Sequence, residues 1–255
     1  MKSYRSWLNY AGATTILFGG WALITWWSGV PEQYLPGPIT ASRALFVLLM
    51  DPDILRQEAL TLGRALIGAI SASVLGIVLA LAGEWSSRIR DALRPFSELL
   101  RPIPAAALVP ITVFAFGFGF KFFLFVVTFV CVWPVYLNAV SALQGVHPLT
   151  LMTGRAFGCE GIEQLVRVKL PAALPEIFLG LRLATAHALI AVIVSEMLTG
   201  RDGIGGLLFQ RAFAIRVADV FALTMLCGLN GWLFNQLFKL LRSRAIGWSQ
   251  AMATE

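Results

Sequence analysis

Three apolar runs, near residues 10–29, 62–83 and 121–145, are each long enough to cross a hydrocarbon layer that takes about 20 residues per helix. Three less clean runs lie near 103–119, 177–198 and 217–238. Backbone amides in lipid must pair within their own segment, so every such run is expected to be helical. The chain therefore reads as an all-α, polytopic membrane protein of about six transmembrane helices, with residues 1–255 forming one transmembrane domain. Composition agrees: 58% of residues are hydrophobic and 13% charged, where soluble domains carry about a quarter charged residues. The run after Lys2 and Arg5 is long and has no Ala-x-Ala site before Pro31, so it is expected to be a retained helix and not a cleaved signal.

Basic residues orient the helices, because Lys and Arg in short loops favour the cytoplasm. With the amino terminus inside, Lys2, Arg5, Arg88, Arg90, Arg94, Arg101, Arg155, Arg167, Lys169, Arg182, Lys239, Arg242 and Arg244 fall inside. Arg43, Arg56, Arg64, Lys121, Arg201, Arg211 and Arg216 fall outside. Thirteen of the 20 basic residues on the inner side predict both termini in the cytoplasm. This bias also accounts for the net charge of +6 without a nucleic-acid partner.

Two polar stretches separate the runs. Between residues 31 and 63, the cluster Ala44, Leu45, Val47, Leu48 and Leu49 predicts a short helix at the outer surface, begun by Leu35-Pro36-Gly37-Pro38 with Thr40 or Ser42 as its cap. Its apolar face would meet lipid or an external protein. Residues 83–101 interleave Arg88, Arg90, Arg94 and Arg101 with Glu84, Asp91 and Glu98, which predicts a solvated cytoplasmic helix. Arg101-Pro102-Ile103-Pro104 then opens the third run. Gly117 and Gly119 close it, allowing either tight helix packing or a bend.

Polar residues inside spans are candidates for function, since a charge at mid-membrane costs about 2.5–3.5 kcal/mol on insertion scales. Glu196, late in the fifth run, reads either as an outer gate residue or as a structural partner for Arg201 or backbone donors. His187 reads as a pathway residue or as a packed, neutral histidine. Asn138 and Asn230 are able to bridge helices, and Phe114, Phe116 and Phe118 are gate or packing residues.

Two histidines and the scattered Cys131, Cys159 and Cys227 offer no metal-ligand spacing and no disulfide framework. No phosphate-binding Gly-Lys-Ser or Gly-Lys-Thr is present: Lys2, Lys121, Lys169 and Lys239 follow Met, Phe, Val and Phe. The chain is accordingly expected to be no enzyme and to bind no metal or cofactor itself.

Residues 155–184, RAFGCEGIEQLVRVKLPAALPEIFLGLRLA, form a polar, helix-capable segment between two apolar runs. Gly158 and Gly161 predict a turn, while Pro171 and Pro175, with Glu176 in the first turn, predict the start of a new helix. The spacing from Gly158 to Leu170-Pro171 resembles the cytoplasmic coupling loop of ABC importer permease subunits, in which a glycine lies a dozen residues before Leu-Pro. The continuation through LPAALP, GLRLA at 180–184, Ser195-Glu196-Met197 and GIGGLL from Gly203 resembles the nitrate, sulfonate, taurine and bicarbonate branch. In that branch a similar arginine-proline-proline run opens the third helix. One departure stands: the Glu-Ala-Ala of the loop falls on Met152, Thr153 and Gly154, so the name-giving glutamate is absent.

The resemblance implies a type I ABC importer fold, with the loop near 150–170 docking a separate ATPase. Thr153, Arg155, Ala156, Phe157, Gly158, Cys159, Glu160, Gly161, Leu170 and Pro171 are the implied coupling residues. It further implies two ATPase subunits carrying ATP and Mg, a second copy of this chain, and a periplasmic or lipid-anchored substrate-binding protein at a bacterial inner membrane. Glu196, His187, Phe116 and Phe118 are the candidates for the translocation pathway, and the implied solutes are small anions. Two other readings stay open: an ion-gradient-driven transporter using Glu196, and a membrane scaffold without transport.

Overall fold

The computed structural model describes residues 2–245. Residue 1 and residues 246–255 lie outside the described residues, as do the side chains of residues 2–11, Lys2 and Arg5 among them. All regular structure among the described residues is helical. The elements are α1 (Lys2–Trp27), α2 (Pro38–Leu49), α3 (Pro52–Trp85), α4 (Ser87–Leu100), α5 (Ala105–Phe116), α6 (Phe120–Gln144), α7 (Pro148–Ala156), α8 (Gly161–Gln164), α9 (Leu170–Thr199), α10 (Ile204–Phe213) and α11 (Val217–Ala245). A π-helical turn, Leu165–Lys169, joins α8 to α9.

Small residues bring the three central helices together. Ala65, Ala69, Ala72, Gly76 and Ala80 recur every third or fourth position along α3 and are buried against α6 and α9. Their spacing places them on one face, where the absence of bulk lets backbones approach. A Cβ added to Gly76 would sit 2.8 Å from Val135 Cβ, and one added to Gly180 of α9 would sit 2.6 Å from Asn138 Cβ. Alanines 184, 188 and 191 repeat the device on α9. The fold is thus specified by close packing of small residues, the driving force that remains when the surrounding solvent is as apolar as the core.

The span count differs from the six expected. Among the described residues, four helical stretches, Pro52–Trp85, Phe120–Gln144, Gly161–Thr199 and Val217–Ala245, are long and apolar enough to cross a membrane. A fifth arises if α4 and α5, bent by 103°, count as one span. The 103–119 run is no single crossing helix: α5 has 12 residues, about 18 Å at 1.5 Å per residue. Pro102 and Pro104 precede it, and Gly117 and Gly119, at φ of 67° and 153°, end it. These glycines turn the chain, and a Cβ added at either would meet nothing within 4 Å, so a bend and not tight packing is their role. The 10–29 run falls on α1 up to Trp27, and that helix has 26 residues but dilutes its apolar stretch with Thr14, Thr15, Thr25, Gly19 and Gly20 and is not among the four stretches.

Two local expectations are corrected. The helix after the polar segment starts at Gly161, not at Pro171 or Pro175, and runs unbroken to Thr199. Pro171 lacks an N–H, and the π-turn absorbs the mismatch, with Leu170 N donating to Leu165 O one residue beyond the usual partner. The cap of α2 is Gly37 rather than Thr40 or Ser42, with Pro38 at its first position. The Thr40 hydroxyl is hydrogen-bonded to Glu32 instead. Around Leu48, α2 packs with Ile54, Ile204, Leu208, Ala222, Leu223 and Leu226 as a second, smaller core. Its Ile39, Phe46 and Val47 remain exposed.

Candidate functional site

Two sites stand at opposite ends of the bundle. At one end, α7 projects between α6 and α8. His147 caps it, Nδ1 accepting from Leu149 N at 3.2 Å. Its far end closes through paired reverse bonds, Gly158 N to Arg155 O at 2.9 Å and Cys159 N to Gly154 O at 3.0 Å. This is the Schellman closure, which needs a left-handed residue after the helix. Gly158 supplies it at φ +81°, and Gly161 follows at φ +56°.

The segment is anchored from behind. Buried Gly154 abuts Val168, an added Cβ falling 2.9 Å from its Cγ2. Gln164 Nε2 donates to Leu151 O at 2.8 Å, and Lys169 pairs with Glu84 at the end of α3. A cavity of about 390 Å³ lies here, lined by Glu84, Trp85, Leu151, Arg155, Gln164 and Lys169. The front of the segment is bare: Leu149, Met152 and Phe157 are 64%, 62% and 84% exposed. Thr153, Arg155, Ala156 and Glu160 are also exposed, Cys159 is partly covered, and Leu170 packs on the main core with half-buried Pro171 beside it. Met152, standing where the glutamate of the resemblance would be, adds apolar surface to this face.

At the opposite end, Glu196 of α9 is fully buried. Its Oε1 lies 2.6 Å from Arg64 Nη1 of α3, and its Oε2 accepts from Thr61 Oγ1 at 2.9 Å and Gly205 N at 3.1 Å. Thr61 Oγ1 accepts from Ile204 N at 2.9 Å, and Gln57 Oε1 from Gly203 N at 2.6 Å. The unpaired amides that open any helix are therefore bonded, at α10, by α3 and Glu196, a carboxylate suiting the positive end of the helix dipole. The glycines of GIGGLL are explained by this approach: an added Cβ at Gly203 would strike the Glu196 carboxylate, and one at Gly205 the Ile193 carbonyl.

Of the partners expected for Glu196, the backbone donor is found in Gly205 N, while Arg201 is replaced by Arg64, whose guanidinium also donates to Asp202 O at 2.7 Å and covers the Phe123 ring at 3.9 Å. Arg201 instead lies over Phe118, 4.3 Å from the ring centroid. Phe116 lines a cavity of about 570 Å³ with Lys121, Phe125, Phe129 and Trp133, while Phe114 is 91% exposed. His187 is exposed on α9, Nδ1 2.7 Å from Leu183 O, and is not joined to Glu196 or to the phenylalanines. Asn138 bonds within its own helix, Nδ2 to Pro134 O at 2.7 Å. Thr61, Arg64 and Gln57 were missed by sequence reasoning because their partners lie more than 130 positions away.

Residues 72–244 match the family described as binding-protein-dependent transport system inner membrane component. The chain is 28% identical to the nitrate import permease protein NrtB of Leptolyngbya laminosa, over 96% of this chain and 90% of that protein. It is 24% identical to the putative aliphatic sulfonates transport permease protein SsuC of Bacillus subtilis, over 95% and 88%. Against the bicarbonate transport system permease protein CmpB of Synechococcus elongatus it is 28% identical, over 89% and 84%. Among solved structures, an inward-facing MetNI methionine ABC transporter aligns with a TM-score of 0.59 at 15% identity, covering 73% of this chain and 95% of that one. An amino acid ABC transporter solved with histidines aligns at 0.63 and 17%, covering 78% and 97%. Both likenesses concern the fold.

Proposed function

The chain belongs to the family of binding-protein-dependent transport system inner membrane components, the permease subunits of ABC importers, and on that premise we propose that it forms the membrane pathway of an ATP-driven importer for a small anion. The anion class is supported by relatives named for nitrate, sulfonates and bicarbonate. Two copies enclose the pathway, each receives one ATPase subunit at α7 to α8, and a binding protein delivers solute at the α10 end. The α7 end faces the cytoplasm, as does the far end of α11.

One observation carries this reading: the exposed apolar face of Leu149, Met152 and Phe157, held out of the bundle by the Gly158 turn and tied to α3 and α9 from behind. A surface of this kind is unfavourable in water and suits burial against another protein. Because α8, which follows the Gly158 turn, continues without a break through the π-turn into α9, movement of a docked ATPase is transmitted to a membrane-crossing helix. Rigid-body rocking of the two copies then alternates access to the pathway.

The ion-gradient reading draws no support from Glu196, whose two oxygens are both engaged by Arg64, Thr61 and Gly205. Gentle detergent capture of the tagged chain from native membranes, followed by mass identification, tests the proposal. A stoichiometric P-loop ATPase is expected. Recovery of the chain alone as a stable homo-oligomer overturns the ATP-driven reading.

A further inference from the structure

Arg182 was counted above with the inner loops, but it lies within the membrane-crossing stretch Gly161–Thr199. It stands thirteen residues beyond Lys169 and fourteen before Glu196, about 20 Å of helix from each charged cluster at 1.5 Å per residue. That position is near the middle of a hydrocarbon core of about 30 Å. Unlike Lys169 and Arg64, which pair with Glu84 and Glu196, Arg182 has no carboxylate within ion-pair distance among the described residues. It is exposed and borders a cavity of about 350 Å³ between α9 and α11, with Thr185, Gly231, Phe234 and Asn235.

We propose that Arg182 and this cavity are an anion site at the middle of the pathway, taking a small oxoanion such as nitrate, bicarbonate or the sulfonate head of an alkyl sulfonate. The inference rests on the importer reading above and takes α9, the helix tied to the docking segment, to line the pathway. An unpaired cation at this depth is unfavourable and tends to mark a solute route. A guanidinium offers paired N–H donors that fit a planar or tetrahedral oxoanion. The Thr185 hydroxyl is engaged with Arg182 O at 2.7 Å, so its neighbours are steadied within the same turn of α9. Gly231 leaves α11 without a side chain where the cavity needs room: an added Cβ there meets nothing within 4 Å. Placement near the midplane matches the general requirement that a site be reachable from either side in turn.

The test is thermal unfolding of the full chain in nanodiscs of zwitterionic lipid, with sodium nitrate, bicarbonate or ethanesulfonate compared with sodium gluconate at equal ionic strength. At least one of the three small anions is expected to raise the midpoint in the native chain and in Arg182→Lys, and to leave it unchanged in Arg182→Gln. Removing an unpaired charge from the membrane does not endanger insertion of Arg182→Gln. Equal shifts in Arg182→Gln locate anion binding elsewhere and overturn the proposal, as does the absence of a shift by any of the three in the native chain. If anionic lipid protects the native chain and these salts do not, the cation serves a lipid headgroup and the proposal also fails. None of these readouts needs ATP or a partner, so failure here is distinct from failure of the importer reading, which ATP-driven uptake tests.

Discussion

Glu196 Oε1 lies 2.6 Å from Arg64 Nη1, joining α9 to α3 across 132 positions of sequence with the carboxylate fully buried and the guanidinium mostly so. Removing one member of a buried pair leaves the other uncompensated, at a typical loss of about 3–5 kcal/mol. Arg64→Leu and Glu196→Leu are each expected to lower the midpoint of thermal inactivation in detergent sharply. The double variant is expected to lose much less than the sum, because neither charge is then stranded. A strictly additive double variant would show that the two residues do not act as a pair.

Gly205 has an ordinary helical backbone but no space beside it, with the Ile193 carbonyl and Glu196 Cβ against its Cα. Gly205→Ala is expected to destabilise by about 1–3 kcal/mol, the usual consequence of overpacking. The added methyl should separate α10 from α9 and weaken the Gly205 N to Glu196 Oε2 bond. Gly228→Ala, on an open face of α11, is the matched control, and its folded yield should equal that of the native chain. Equal losses at the two positions would sink the close-approach explanation of GIGGLL.

The long helices were legible because hydrocarbon imposes length and apolarity directly on sequence: 121–145 foretells α6, and 217–238 lies inside α11. The start of α3 was not, because Asp53, Arg56, Gln57 and Glu58 make its first turns too polar to read as part of a span. Asp51 accepts from Asp53 N at 2.9 Å and so caps a helix that begins ten residues before the apolar run. The continuous helix through Pro171 was hidden for a different reason. A proline ordinarily signals a start or a stop, and only the π-turn at Leu165–Lys169 carries the helix past it. The glycines at 158 and 161 were readable as turns since their conformation is local, whereas the clamp on Glu196 depends on contacts that no window of sequence contains.

Gly158 adopts φ +81° with nothing within 4 Å of an added Cβ, so substitution there strains backbone and displaces no neighbour. A non-glycine residue in the left-handed region loses roughly 1–2 kcal/mol, while Asn tolerates it better. Gly158→Val is expected to keep its membrane level but lower transport per ATP hydrolysed, and Gly158→Asn is expected to retain most coupling. Both follow from measuring uptake and hydrolysis together in proteoliposomes with the partner subunits. Unchanged coupling in Gly158→Val would remove the turn from the mechanism.

Phe157 is 84% exposed and sits beside the Gly158 turn, so it contributes little to the fold of this chain. Substitutions at such surface positions usually change stability by less than about 0.5 kcal/mol. A large aromatic in a docking face behaves differently, since truncation there typically removes about 2 kcal/mol or more of binding, a loss of roughly 30-fold in affinity at 1.4 kcal/mol per tenfold. Phe157→Asp is therefore expected to leave thermal stability of the isolated chain unchanged while reducing ATPase recovery in a pull-down by tenfold or more. Arg155 and Glu160, exposed and without an ion pair among the described residues, are expected to matter less, as solvent-exposed charges contribute little individually. Undiminished ATPase recovery with Phe157→Asp would show that the apolar face of α7 is not the contact that holds the two proteins together.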